Sequence, residues 1–259
     1  MENKIAEYYN GYDEEGRLSR DNSHNIEWIT TMHYFKNLIP SNSYIFDACA
    51  GTGNYAFELA SMKHTVVASD IVHHNVDIMK EKQIQSSSKL QNIFQGDICD
   101  VSKYKDETFD VVLCMGAFYH IDAISREKAM NECLRILKNN GLLVISYINN
   151  MAVATMRIGK HLENMDEIIA GYENKTFDRL FLHMNPDEIE SLVSTYNTKI
   201  VKHIATDGLN YAYSSDINSA SKENFDKYIN FHLKTCENKY LLGYSLHGLL
   251  ILQKYKCRN

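Results

Sequence analysis

Three aspartates close three short apolar runs in the first half of the chain: Asp47 in "YIFDACAGTG", Asp70 in "HTVVASD" and Asp97 in "NIFQGD". Between the first two lies a turn of small residues, Ala48, Cys49, Ala50, Gly51 and Gly53, leading into Asn54 and a helical stretch. Small side chains let a ligand approach the backbone. The free N–H groups at the start of the helix favour a negative or polar ligand. Asp70, followed by Ile71, stands where a doubly wound sheet offers a carboxylate to both hydroxyls of a ribose. Asp97, in "GDI", is placed to meet an adenine amino group, with Ile98 adding backbone contacts. Acids after strands also cap helices, and a glycine turn can be only a turn. Three acids in succession point to a crevice for a nucleoside.

A second group follows a fourth apolar run, "FDVVLCMGAFYHI". Cys114, Met115 and Gly116 end the run, and Tyr119 and His120 come next. A phenol and an imidazole there can orient a second reactant or take its proton. The plainer reading is that they shape a pocket or cap a helix. Late in the chain His203, Asp207, Tyr211, His232, Glu237 and His247 are polar groups that an ordinary strand and helix do not need. None of them has helix-face ligand spacing, so no metal site is expected. The six cysteines, Cys49, Cys99, Cys114, Cys133, Cys236 and Cys257, form no CxxC pair. They read as reduced packing thiols of a cytoplasmic protein.

The elements that must position these groups alternate. Strands are expected at 44–50, 64–70, 92–97, 109–118 and 141–148, with helices at 53–62, 74–85 and 125–140, the last stopped by Gly141. Such alternation implies a parallel sheet covered on both faces. Residues 151–197 read as helical, with an aromatic cluster at Phe177, Phe181 and His183. Strands at 198–208 and 245–255 flank a helix at about 222–236. The expected fold is α/β, a doubly wound seven-stranded sheet with a helical insertion. It divides into an N-terminal helical cover (1–38), a ligand-binding core (39–149), a helical lid (150–197) and a last strand–helix–strand unit (198–259).

The segment from about 40 to 149 resembles the class I, seven-stranded S-adenosylmethionine-dependent methyltransferases, in particular a bacterial-type branch acting on small molecules. Asp47 to Gly53 resembles that family's D-x-G-x-G-x-G motif, with Cys49 in place of the first glycine. Asp70 is similar to its ribose-binding acid, "GDI" to its adenine loop, and "LRILKNNGLLVIS" to the helix, turn and fifth strand that follow. The resemblance implies a mostly parallel sheet with the last strand antiparallel. It implies S-adenosylmethionine as methyl donor and S-adenosylhomocysteine as product. The expected cofactor contacts are Arg20, Asp47, Ala48, Cys49, Gly51, Gly53, Asn54, Asp70, Ile71, Asp97, Ile98, Cys114, Met115 and Gly116. Arg20 is assigned to the methionine carboxylate, and Tyr119 and His120 to the chemistry. A nicotinamide dehydrogenase would want G-x-G-x-x-G; Gly51, Gly53 and Ala56 permit only its weak form. "CMGAFYH" is not the N/D-P-P-Y/F motif of DNA-adenine methylation.

Composition narrows the acceptor. The chain has 259 residues and a formal net charge of −6, whereas proteins that track phosphate backbones are usually basic. No run approaches the roughly 20 apolar residues of a membrane span, and the N-terminus does not read as a signal peptide. The expectation is methyl transfer to a nitrogen or oxygen, less so sulfur or carbon, of a small molecule by a cytoplasmic monomer or homodimer. RNA or protein methylation and a silent cofactor-binding domain are the alternatives.

Overall fold

The strands bury both faces, and their side chains alternate between two packed layers. A computed structural model describes residues 2–178 and 180–256. Cys257 lies outside them. The strands are β1 (Tyr44–Asp47), β2 (Thr65–Asp70), β3 (Asn92–Gln95), β4 (Phe109–Cys114), β5 (Leu137–Ile148), β6 (Thr198–Ala205) and β7 (His247–Lys254). They form one sheet in the order β3-β2-β1-β4-β5-β7-β6. β1 to β5 pair in parallel, and β7 runs antiparallel to both β5 and β6. The order reverses between β1 and β4, where a doubly wound sheet opens a crevice at its carboxyl edge.

Period-two alternation decides which layer each side chain joins. Ile45, Val66, Val111, Val144 and Ile251 meet Phe35 of α2 (Asn22–Leu38), Leu59 of α3 (Asn54–Ser61) and Met79 of α4 (His73–Gln85). Their neighbours Phe46, Val67, Val112, Leu143 and Leu252 meet Met130 and Cys133 of α5 (Ala123–Ile136) on the opposite face.

The covers are helical. α1 (Glu2–Asn10) and a 3-10 turn at Arg17–Ser19 precede α2, whose N-cap Asp21 accepts from the His24 N–H at 3.0 Å. After β5 come α6 (Asn150–His161), α7 (Met165–Glu173) and α8 (Pro186–Ser194). α8 opens with proline in its first turn and a capping box between Asn185 and Glu188. Between β6 and β7 lie α9 (Asn210–Ser219), α10 (Lys222–Thr235) and a single turn, α11 (Lys239–Leu242).

Three local expectations change. The fifth helix stops at Ile136, and the chain enters β5 at Leu137. Gly141 is therefore inside a strand. A Cβ there would stand 2.8 Å from the Asp110 carbonyl oxygen and 2.7 Å from a Leu137 methyl, so glycine permits a close approach and does not stop a helix. It lies where the β4–β5 register shifts, between Phe109 and Val111. The strands expected to run to 50 and 118 end at Asp47 and Cys114. α9 lies in a stretch left without an element by the sequence, and its local signal is weakened by a kink at Tyr213.

Candidate active site

Asp47 ends β1 with 1% exposure, and its Oδ2 has no hydrogen-bond partner. Burial, with the nearby Asp70 carboxylate, lifts it to about 7. The turn after it is held by Asp70. The Gly51 N–H donates to Asp70 Oδ2 at 2.8 Å, and the Val72 N–H and Asn75 Nδ2 donate to Oδ1 at 2.8 and 3.2 Å. Burial still dominates, and Asp70 stands at about 6. Gly51 takes a φ of +55°, which glycine adopts without strain. Cys49 is not among the residues with positive φ, so its departure from glycine costs the turn nothing. Its thiol lies within hydrogen-bonding reach of the Cys114 thiol.

These groups open onto one cavity of about 500 Å³. Among the expected residues, Asp47, Ala48, Cys49, Gly51, Asn54, Asp70, Ile71, Asp97, Ile98, Met115, Gly116, Tyr119 and His120 all border it. Three do not. Gly53 sits beneath the turn with φ +85°, and a Cβ on it would strike Met79 and Phe57. Cys114 is fully buried behind Cys49. Arg20 is exposed and hydrogen-bonds Tyr12.

Arg17, one turn earlier, is the guanidinium at the cavity wall. It bonds Glu14 at 3.1 Å and reaches both oxygens of Glu27 on α2, at 2.7 and 3.3 Å. The sequence crowded Arg17 and Arg20 together, and only the 3-10 turn decides which faces inward. Glu27 and the late pair Asp207 and His247 also border the cavity. Their distance in sequence hides that relation, and the only local sign was the polar character of the late strand ends.

The N-terminal helix roofs the cavity through aromatic rings. Tyr8 stacks on Tyr12 at 5.3 Å and meets Phe181 edge-on at 5.5 Å. Tyr9 lies edge-on to His120, whose ring also faces Phe181 at 4.9 Å. His120 Nδ1 faces the Leu180 carbonyl oxygen at 3.2 Å, and Nε2 faces the Tyr9 hydroxyl at 3.0 Å. A carbonyl only accepts, so Nδ1 carries the proton and Nε2 accepts from Tyr9. Burial lowers this imidazole to about 4. Its lone pair is already used by the Tyr9 hydroxyl, so in this arrangement it is not free to take a proton from a second reactant. Tyr119 remains at the wall beside Arg17, Glu14 and Glu27, and burial raises its pKa.

Three of the other late polar groups, His203, His232 and Glu237, are structural partners, His232 with its Nε2 3.2 Å from the Thr206 carbonyl oxygen. His203 lies between Tyr147 and Glu190, and Glu237 accepts from Tyr34 and Lys202. Among the described residues, no group of three or more His, Cys, Asp or Glu is set to hold a metal ion.

A seven-stranded sheet of this order, with a carboxylate-lined crevice at the switch point, defines the methyltransferase version of the doubly wound fold. Residues 46–145 match the family model for a methyltransferase domain. The ubiquinone biosynthesis O-methyltransferase of Rickettsia typhi is 28% identical over 74% of this chain and 75% of its own length. An uncharacterized protein of Methanocaldococcus jannaschii is 46% identical over 46 residues, a stretch spanning 19% of that protein. The crystal structure of a possible histamine N-methyltransferase from Thermotoga maritima superposes with a TM-score of 0.60 at 17% identity, over 98% of this chain and all of that one. Residues 46–145 thus form a methyltransferase domain of the class I, S-adenosylmethionine-dependent kind, and S-adenosylmethionine is its methyl donor. Among the described residues no helix is long and apolar enough to cross a membrane.

Proposed function

We propose that this enzyme methylates a nitrogen or oxygen of a small molecule held in the roofed cavity. The observation that carries the reading is the enclosure. Tyr8, Tyr9 and Tyr12 from one end of the chain meet Phe181 and His120 over the crevice. Such a roof suits a small acceptor and works against an RNA strand or a folded protein. A relative named for O-methylation of a small molecule supports it.

The donor set suits the cofactor. Asp47 Oδ2 is a buried carboxylate oxygen without a partner, and it would face the ammonium of the methionine moiety. A Cβ at Gly51 would come within 3.3 Å of the Glu14 side chain, so Glu14 covers the bare turn and would give way to a ligand against the backbone. Asp70 would take the ribose hydroxyls, with Asp97 and Ile98 at the adenine. Ala48, Cys49, Asn54, Ile71, Met115 and Gly116 would complete the walls. Arg17, in place of Arg20, would meet the methionine carboxylate, with Glu14 yielding its place beside it.

The cofactor supplies an electrophilic methyl on a sulfonium. The protein then has to align the acceptor, exclude water and remove a proton where one is lost. Tyr119 would orient the acceptor beside the end of β4. The roof would exclude water, held shut by Tyr9 and His120. Five described cysteines are free thiols, in keeping with a cytoplasmic enzyme.

The test is transfer of labelled methyl to a fractionated metabolite extract, run beside total RNA and total protein. Label in a small-molecule fraction is expected. Label in RNA or protein alone would overturn the reading, and none in any sample would favour a silent cofactor-binding domain.

A further inference from the structure

β7 runs against its neighbours, so its first residue lies at the rim where the parallel strands end. His247 is that residue, paired in register with Ile148, the last of β5. The strands that end at Asp47 and Asp70 and the one that leads to Asp97 lie on the other side of β4. His247 and Asp207 therefore border the half of the cavity away from the nucleoside crevice, beyond Met115 and Gly116.

The two residues form a fixed dyad. Asp207 is 1% exposed. Its Oδ1 accepts from Ser245 Oγ at 2.6 Å and from the His247 N–H at 3.1 Å, and its Oδ2 faces His247 Nδ1 at 2.8 Å. Both oxygens are used, so the carboxylate cannot turn. A carboxylate only accepts, which puts the proton on Nδ1 and leaves the lone pair of the neutral ring on Nε2. Glu27 Oε2 lies 3.5 Å from the same Nδ1. No hydrogen bond to Nε2 occurs among the described residues, and the side chain is 24% exposed. In His120, by contrast, both nitrogens are engaged by the protein.

Two further polar atoms wait nearby. Asn210 Oδ1 and Tyr211 OH are buried without partners, and both residues border the cavity with His247. Buried polar atoms left unpaired in a protein are costly, and an acceptor bearing hydroxyl or amide groups would satisfy them.

We propose that His247 is the general base of this methyltransferase, positioned by Asp207, and that the acceptor atom it serves is a hydroxyl oxygen of a small polar molecule. This rests on the small-molecule reading above and deepens it. In the step, His247 Nε2 takes the hydroxyl proton as the oxygen forms a bond to the methyl carbon. The carbon–sulfur bond breaks with its electron pair going to sulfur. The products are a methyl ether, S-adenosylhomocysteine and an imidazolium, which returns its proton to solvent.

The groups facing the ring suit the task. Burial disfavours its charge, but Glu27 and Asp207 outweigh burial and hold its pKa above the ordinary value, with Arg17 opposing. Glu14 and Ser245 complete the surroundings of that pair. The two carboxylates stabilise the imidazolium as it forms. Turnover should then rise with pH as the ring loses its resting proton.

Two experiments test this. Nitrogen NMR of the imidazoles, in protein saturated with S-adenosylhomocysteine, should show His247 above its pKa with Nδ1 protonated and Nε2 bare. The signal is assigned by its loss in His247→Asn. A proton on Nε2 in the neutral ring would overturn the proposal whether or not any acceptor is found. In the second, methyl-13C S-adenosylmethionine labels the metabolite fraction identified above. The product should be a methyl ether. His247→Asn, which keeps a donor toward Asp207, should lower kcat about a hundredfold with S-adenosylhomocysteine affinity within threefold of wild type. Asp207→Asn should distort the pH profile of kcat. An N-methyl product, or a His247→Asn enzyme with wild-type kcat, would overturn the proposal. Label in RNA or protein alone would instead overturn the small-molecule reading while the NMR result stood.

Discussion

Tyr9 and His120 are separated by 111 residues and joined by a hydrogen bond of 3.0 Å. With the Leu180 carbonyl on the other side of the imidazole, the bond ties the N-terminal helix, the loop after β4 and the segment before α8 into one roof. Tyr9→Phe keeps the ring packing and removes only this bond. It should weaken S-adenosylhomocysteine several-fold, consistent with about 1 kcal/mol for one hydrogen bond, through faster dissociation. Stopped-flow binding that shows unchanged dissociation would separate the roof from cofactor retention.

Asp70 clamps the Gly51 turn and is the carboxylate proposed for the ribose. Asp70→Ala removes its bonds from Gly51, Val72 and Asn75. Affinity for S-adenosylhomocysteine should fall by about 2–3 kcal/mol, read by calorimetry. Wild-type affinity in this variant would place the ribose elsewhere.

The pH dependence of cofactor binding should carry the mark of Asp47. Its carboxyl stands at about 7, raised by burial and then by Asp70. Below that pH the free protein holds a proton that must leave before an ammonium can be accepted. S-adenosylhomocysteine affinity should therefore rise between about pH 5 and pH 8, with proton release on the acid side. The sign for stability is opposite. A carboxyl raised above its unfolded value favours the folded apo protein at low pH, and that contribution is lost as pH rises from about 4 to about 7. Asp47→Asn should flatten the affinity profile; a slope that survives would assign it to another group.

Arg17 and Arg20 make opposite predictions. Arg20→Ala should leave cofactor affinity within twofold, because the side chain is exposed and outside the cavity wall. Arg17→Lys should weaken it at least tenfold, since an ammonium cannot reproduce the forked contact with Glu27 and also meet a carboxylate. Equal effects at the two positions would mean that neither reaches the methionine end.

The side of the cavity bordered by the three acids was legible because its information is local. An acid at the end of each of three successive strands, and small residues after the first, are read within sixty or so positions, and the parallel sheet brings them together by rule. Cys49 looked like a departure, yet the backbone there needs no positive φ. The rest of the cavity wall depends on long-range packing. Arg17, Glu27 and His247 come from three segments, and no spacing relates them. Whether Arg17 or Arg20 turns inward is settled by one 3-10 turn, below the resolution of any periodicity. Gly141 misled because glycine after a helical run is the usual stop, while here it admits the Asp110 carbonyl.

The reversed direction of the last strand also sets an order of assembly. The groups proposed to hold the cofactor, Asp47, Asp70 and Asp97, emerge early in synthesis. His247 is supplied by β7, the last element made among those described. Chains fold broadly from the N-terminal side as they are made. A nascent chain can thus carry a formed nucleoside crevice while its acceptor wall is missing, because β6 has no partner in the sheet until β7 slots in between it and β5. Methyl-donor binding and methyl transfer should appear at different chain lengths in a series of stalled or truncated products. The gap between them measures how late the enzyme becomes able to act.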